Sequence, residues 1–296
     1  VQASENNTEV DLDGDPRTPY DVEVWGNRTF RHFDFTFNEW AVSGGFNYRV
    51  TEEISVYGQG SRGFKTPALD EYLFPAEAQA ALFKARHTLL FEGGVKYAGE
   101  RFGAAVNGFW GELRDVIGQG AETDPATGAT VWVILTCEDD PGLCNTRSWG
   151  AEVELSGRPT PELGLFTNWT FLKAEFGQGA DIGSWVTGVP PVIGNAAVTY
   201  DVEGFRLAAD WHLVGRRWVV VDQNKLPTYT YLNLGASYRI PGQGITISAD
   251  LLNVYQSKGL EEGNPRLRQV GGRTSDLFLA RPILPRRFQV SVKYSF

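Results

Sequence analysis

Arg286-Arg287-Phe288-Gln289-Val290-Ser291-Val292-Lys293-Tyr294-Ser295-Phe296 closes the chain. In an extended strand, successive side chains point to opposite faces. Phe288, Val290, Val292, Tyr294 and Phe296 therefore share one face, and Gln289, Ser291, Lys293 and Ser295 share the other. One face is wholly apolar and ends on an aromatic ring; the other is wet. Such a strand lies between water and an apolar phase, which is either a protein core or lipid.

Upstream, the same alternation recurs ten times. Period 2 predicts strands near 39–50, 54–64, 88–98, 101–117, 147–157, 163–175, 192–202, 205–217, 229–240, 244–255 and 285–296. Their apolar sets include Trp40, Val42, Phe46, Tyr48 and Val50; Phe91, Val95 and Tyr97; and Trp149, Ala151, Val153 and Leu155. Phe205, Leu207, Ala209, Trp211 and Leu213 repeat the pattern, as do Leu232, Leu234, Ala236, Tyr238 and Ile240. None of these sets holds a charge. The alternate faces carry Arg49, Glu92, Lys96, Glu152, Glu154, Arg206, Asp210, Arg239, Asp250 and Lys293. A Lys or Arg at the lipid midplane of a barrel costs about 2–4 kcal/mol, which gives the segregation an energetic reason. The strand near 101–117 is the imperfect one, because Phe109 points away from Trp110.

A soluble sandwich also alternates, but two features separate it from a barrel in lipid. Tyr, Trp and Phe gather near strand ends, as in an interfacial girdle. The connections also alternate in length. Thr51–Glu53, Gly99–Glu100, Thr160–Glu162, Glu203–Gly204 and Pro241–Gln243 are short, whereas 65–87, 118–146, 176–191, 218–228 and 256–284 are long. Short periplasmic turns and long external loops are the rule for outer-membrane barrels. The expected fold is therefore all-β: a transmembrane antiparallel β-barrel wall of about eleven strands. Mean hydropathy of −0.25 does not oppose this, since only every second residue of such a strand meets lipid. If the last strand descends to the periplasm at Phe296, residues 1–38 begin in an extracellular loop with a strand extension. Phe33, Phe35 and Phe37 then predict that the strand near 39–50 continues upward through a bulge near Asn38.

The net charge of −9 argues against a nucleic-acid partner, which calls for a basic stripe. Cys137 and Cys144 flank the turn pair Pro141-Gly142 and are expected to form a disulfide in an oxidising compartment. Asp11, Asp13, Asp15 and Asp21 resemble a calcium loop in spacing, but Gly14 is misplaced and Pro16 intrudes, so no metal is expected. A hydrolase at a barrel rim needs a His close to Ser or Asp. His212 follows Asp210 on the polar face, at an expected i to i+2 separation of about 7 Å. His32 and His87 are expected to be solvated in loops. With no Gly-x-Ser-x-Gly elbow either, the chain is not expected to be an enzyme. The chain has no Met and opens on no signal peptide, which suggests a processed or partial chain.

Several segments together resemble the TonB-dependent outer-membrane receptors. These are Tyr57-Gly-Gln-Gly-Ser-Arg-Gly-Phe-Lys-Thr-Pro-Ala-Leu69, Phe91-Glu-Gly-Gly-Val-Lys-Tyr97 and Ser148-Trp-Gly-Ala-Glu-Val-Glu-Leu155, with Asp250-Leu-Leu-Asn-Val-Tyr255 and Glu262-Gly-Asn-Pro-Arg266. The terminal strand resembles the family's assembly signal, with Phe288, Val290, Val292, Tyr294 and Phe296 read by the barrel-assembly machinery. The resemblance covers the chain from about residue 39. It implies a 22-stranded barrel plugged by an N-terminal domain, driven through TonB, that imports ferric siderophores, cobalamin or glycans. It implies no cofactor. The chain shows no TonB box and no plug, so residues 39–296 are expected to be the C-terminal half of the barrel, needing an N-terminal plug and half-barrel chain as partner. A passive porin or an adhesion barrel is the alternative.

Loop aromatics and arginines are the candidate ligand contacts: Arg62, Tyr72, Phe74, Arg147, Trp185, Arg216, Arg217 and Trp218, with Arg266 and Arg268 in the last loop. Arg suits an anionic chelate. The same arginines suit lipopolysaccharide phosphates or neighbouring loops.

Overall fold

The computed structural model describes residues 2–7, 31–67, 83–116, 118–123, 130–136, 144–179, 181–220, 224–264, 269–270, 273–274 and 279–296. In chain order, β1 (Gln2–Asn7) pairs with β2 (Arg31–Thr36) as a separate ribbon. β3 (Val42–Arg49), β4 (Ile54–Lys65), β5 (Arg86–Ala98) and β6 (Phe102–Arg114) then run up and down in one sheet. β7 (Gly118–Thr123) and β8 (Thr130–Leu135) leave it as a hairpin. β9 (Asn145–Gly157), β10 (Leu163–Phe176), β11 (Val192–Val202) and β12 (Phe205–Val214) resume the sheet. β13 (Arg217–Val220) and β14 (Asn224–Leu226) form a second hairpin before β15 (Tyr229–Arg239) and β16 (Ile245–Leu252) rejoin. β17 (Leu260–Asn264) pairs with β20 (Leu279–Pro282), enclosing β18 (Gln269–Val270) and β19 (Arg273–Thr274). β21 (Arg287–Tyr294) is the last stave.

The main sheet has eleven antiparallel strands in the order β21-β16-β15-β12-β11-β10-β9-β6-β5-β4-β3. These are the eleven expected segments, shifted by a few residues at their ends. The strand expected to reach 117 stops at Arg114, and the one expected to reach 217 stops at Val214.

Register carries the lipid argument across the sheet. Tyr48, Val56, Val95, Val106, Val153 and Trp169 form one lateral row, each opposite the next. Leu165, Val198, Ala209, Leu234, Leu251 and Phe288 form another. In water this face would be an extended patch of exposed Val, Leu and aromatic side chains, far larger than a soluble monomer carries. In lipid it is the outer wall. Its uncharged stretches, such as Phe102–Trp110, Phe205–Leu213 and Phe288–Phe296, are about nine residues long, matching a tilted transmembrane strand. Aromatic rings close both ends. Phe91 and Trp110 approach to 6.1 Å on the long-loop side, and Phe205 and Tyr238 to 4.3 Å on the short-turn side.

The five short turns lie at one end of the sheet. The tightest joins β11 to β12 through Glu203 (φ 45) and Gly204 (φ 86). Positive φ at both central residues is the geometry whose twist matches antiparallel strands. A Cβ on Gly204 would also lie 3.0 Å from the Arg239 carbonyl oxygen.

The edges of the sheet are β3 and β21, exposed on both faces. Among the described residues neither has a second neighbour strand. The strand extension expected at Asn38 does not join β3. Residues 37–41 are irregular, and β2 turns away to pair with β1, which lies in the segment expected to be extracellular loop. Three connections expected to be plain loops contain hairpins, namely β7–β8, β13–β14 and β17–β20. Asp11, Asp13, Asp15 and Asp21 lie outside the described residues. Cys144 carries no free thiol, but Cys137 lies outside the described residues, so the Cys137–Cys144 bridge stands as a proposal.

Candidate functional site

The face opposite the lipid wall is polar, and on β10 to β16 its side chains join into one network. Asn195 Nδ2 donates to Asn168 Oδ1 at 2.9 Å, and Asn195 Oδ1 meets His212 Nδ1. His212 Nε2 contacts Asp210 Oδ2 at 2.6 Å, and Asn233 Nδ2 donates to the same oxygen at 2.7 Å. Asn233 Oδ1 accepts from the Asn253 backbone N–H at 2.9 Å. Four strands, β10, β11, β12 and β15, are thus stitched together on the lumenal side at neighbouring register positions, and the residue just past β16 is tied to them. The expected separation of Asp210 and His212 does not hold. Alternate Cα atoms are far apart, but both side chains lean along the strand until the ring nitrogen reaches the carboxylate. His212 is still not poised as a base for a nucleophile, because its second nitrogen faces Asn195.

Above this network, toward the long loops, is an aromatic ledge. His212 stacks on Tyr231 at 4.5 Å and Tyr231 on Tyr229 at 6.4 Å. Arg217 extends over Tyr229 at 5.9 Å. Lumenal polar groups beside flat rings make a wall that takes hydrogen bonds and stacking from a bulky polar guest.

Asn253 fixes the base of the last long loop. It is buried at 4% exposure with φ 50, a conformation Asn tolerates better than most residues. Its Nδ2 donates to the Ser257 and Leu284 carbonyl oxygens, both at 3.0 Å, and its Oδ1 accepts from the Ser257 N–H at 2.8 Å. One side chain thus ties the end of β16 to the approach to β21. The segment Asp250-Leu-Leu-Asn-Val-Tyr255 is conspicuous in the sequence, but this clamp is not visible there.

The candidate ligand residues scatter. Arg62 and Arg147 lie on the outward face, in register with Val42 and Glu112. Arg62 stacks on Trp40 at 4.0 Å and pairs with Glu39 at 3.7 Å. Arg217 is 5% exposed and donates to the Leu260 and Glu261 carbonyls, which anchors β17 on β13. Trp218 is covered by Lys225 at 3.5 Å, and the Arg216 N–H donates to Thr228 Oγ1 at 3.0 Å. Trp185 bridges to Glu175. Tyr72, Phe74, Arg266 and Arg268 lie outside the described residues. His87 is not the solvated loop residue expected. It sits in β5 between Glu39 Oε2 at 2.8 Å and Asp115 Oδ2 at 3.3 Å. Those partners are 48 and 28 residues away in sequence, so no local signal announces the contact.

A family model described as "TonB dependent receptor-like, beta-barrel" matches residues 9–254. The chain belongs to the TonB-dependent receptor β-barrel family. It is an integral outer-membrane barrel segment, with the short turns on the periplasmic side. Solved structures agree on the fold. The ferric yersiniabactin uptake receptor FyuA from Yersinia pestis superposes with a TM-score of 0.68 at 16% identity, over 90% of this chain and 39% of its own. The copper transporter OprC gives 0.64 at 16% identity, over 85% and 39%. BauA, the ferric preacinetobactin receptor from Acinetobacter baumannii, gives 0.59 at 19% identity, over 89% and 37%. The chain thus spans about two fifths of the length of these receptors. No curated protein sequence matches it.

Proposed function

We propose that this TonB-dependent receptor segment forms the C-terminal half of a plugged barrel that imports a ferric chelate of the siderophore class. The observation that carries the reading is the lumenal wall itself. A connected polar network is topped by Tyr231 and Tyr229 at the mouth, on an eleven-strand sheet whose two edges are open. An unpaired edge in hydrocarbon costs several kcal/mol for each unsatisfied backbone group, so further strands must flank β3 and β21. FyuA and BauA, whose folds it shares, are ferric siderophore receptors, which supports that ligand class over cobalamin or glycans. The complementary strands, a plug and a TonB contact come from polypeptide beyond these residues. The barrel-assembly machinery reads Phe288, Val290, Val292, Tyr294 and Phe296.

Uptake of radiolabelled ferric siderophores by cells expressing the assembled receptor tests this reading. Accumulation is expected to fall to background when TonB is deleted or the proton gradient is collapsed. Uptake that survives both treatments and scales with external concentration would instead identify a passive porin.

A further inference from the structure

Glu154, Asn168, Asn195, His212 and Tyr231 occupy one lateral row on the lumenal face of β9, β10, β11, β12 and β15, each opposite the next. Three of them form a hydrogen-bonded chain with a direction. Asn195 Nδ2 donates to Asn168 Oδ1 at 2.9 Å, which leaves Asn195 Oδ1 as the atom facing His212 Nδ1. On the other side of the ring, His212 Nε2 meets Asp210 Oδ2 at 2.6 Å. Both ring nitrogens therefore face oxygen acceptors. A neutral imidazole carries one N–H, and only the imidazolium donates from both nitrogens. The chain as it stands is the one a protonated His212 makes.

Removing that proton has a defined consequence. The Asp210 carboxylate, whose Oδ2 also accepts from Asn233 Nδ2, holds the remaining N–H on Nε2. Nδ1 then aims a lone pair at the Asn195 oxygen. The contact is restored when the Asn195 amide turns over and presents Nδ2. Its Oδ1 would then face Asn168 Oδ1, so Asn168 turns over as well and donates from its own Nδ2. The backbone need not follow. The Asn195 carbonyl oxygen accepts from Thr167 Oγ1 at 2.7 Å, and β11 is paired on both sides. An amide has nearly the same shape in either orientation, so one wall holds both polarities. The charged and titratable groups around His212 are Asp210 on its own strand and Tyr231 and Tyr229 on β15, with Arg217 and Glu261 beyond the tyrosines. β11 presents the uncharged Asn195. His212 and Asp210 are 27% and 43% exposed, so the pair exchanges protons with lumenal water.

We propose that His212 is a proton-operated switch that sets the hydrogen-bond polarity of the lumenal wall two strands away, at Asn168. With His212 protonated, Asn195 engages Asn168 Oδ1, and Asn168 Nδ2 is the atom left for an acceptor on a guest. With His212 neutral, both amides turn over, and Asn168 Oδ1 is left for a donor. The switch lies beneath the tyrosine ledge, where His212 stacks on Tyr231 at 4.5 Å, so its charge also acts on an occupant of the ledge. For an anionic chelate, a consequence that rests on the proposed function, the protonated wall is the tighter one, because it adds a positive charge and a donor. By linkage, such a guest draws a proton onto His212.

The test uses the assembled receptor in lipid bilayers, isotope-labelled at His and Asn, with no ligand added. Its outcome is therefore independent of what the receptor imports, and a failure of siderophore uptake would leave it untouched. Solid-state NMR follows the His212 ring nitrogens and the Asn168 and Asn195 side-chain amides between about pH 5 and 8, the range in which histidine changes charge. Each signal is assigned by its loss in His212→Gln, Asn168→Ser or Asn195→Leu. In the wild type the three residues are expected to change together, with one midpoint. His212→Gln is expected to abolish the pH response of both asparagines. Asn195→Leu, which cuts the chain while nearly keeping its volume, is expected to leave His212 titrating and to abolish the response of Asn168. Heat-modifiable electrophoretic mobility reports in each case that the barrel is still folded. An Asn168 amide that stays fixed while wild-type His212 titrates would overturn the proposal, as would a His212 ring that keeps one protonation state throughout. So would an Asn168 response that survives Asn195→Leu.

Discussion

Val106→Arg is expected to destabilise the assembled barrel by about 2–4 kcal/mol, the midplane cost of an arginine on a lipid-facing strand. Val106 is central in the uncharged stretch from Phe102 to Trp110, flanked in register by Val95 and Val153. A guanidinium there has no interface within easy reach. The neighbouring Asn107→Arg substitution faces the lumen, beside Glu152 in register, and is expected to cost less than about 1 kcal/mol. Urea-dependent folding into lipid vesicles measures both. Equal costs would mean that the uncharged face does not meet lipid.

Asn253→Ala is expected to cost about 1–3 kcal/mol, because the Ser257 N–H and the Ser257 and Leu284 carbonyls lose their shared partner. The loss should be local as well as global. Amide exchange is expected to accelerate at Ser257 and at Ile283, which donates to the Gly259 carbonyl oxygen close to the clamp. Asn253→Gly separates two causes. Glycine accepts φ 50 without strain but has no clamp, so it should lose nearly as much as alanine. A glycine variant as stable as the wild type would show that only the backbone conformation matters at this position.

The main sheet is legible in the sequence because a lipid-facing strand obeys one rule at every second residue. Phe288 to Phe296 state that rule once, and the ten upstream segments repeat it. What the sequence hides has other physical causes. The hairpin β7–β8 pairs the polar run Gly118–Thr123 with the apolar run Thr130–Leu135, so neither strand alternates cleanly. β17 and β20 are separated by most of a long loop, and β2 turns to a partner near the N-terminus, which period 2 cannot specify. The lumenal network was legible only as a list of polar residues. Asp210, His212 and Asn195 come together because side chains tilt along and across strands, and a flat count of Cα spacings misses that. His87 is the same lesson at longer range, since Glu39 and Asp115 reach it only after the sheet has formed. Arg62 and Arg147 show a further limit. Arginine near a strand top looks the same whether it faces the lumen or the outer leaflet, and only register decides.

The central claim is that these strands are part of a closed wall whose remaining staves lie outside residues 1–296. Native mass spectrometry of the unheated particle purified from outer membranes, followed by peptide mapping, tests it directly. The expected particle contains this chain's peptides together with upstream receptor sequence that supplies a plug and about as many strands again. A folded, lipid-inserted particle built only from the 32.7 kDa chain, singly or in copies, would contradict the account.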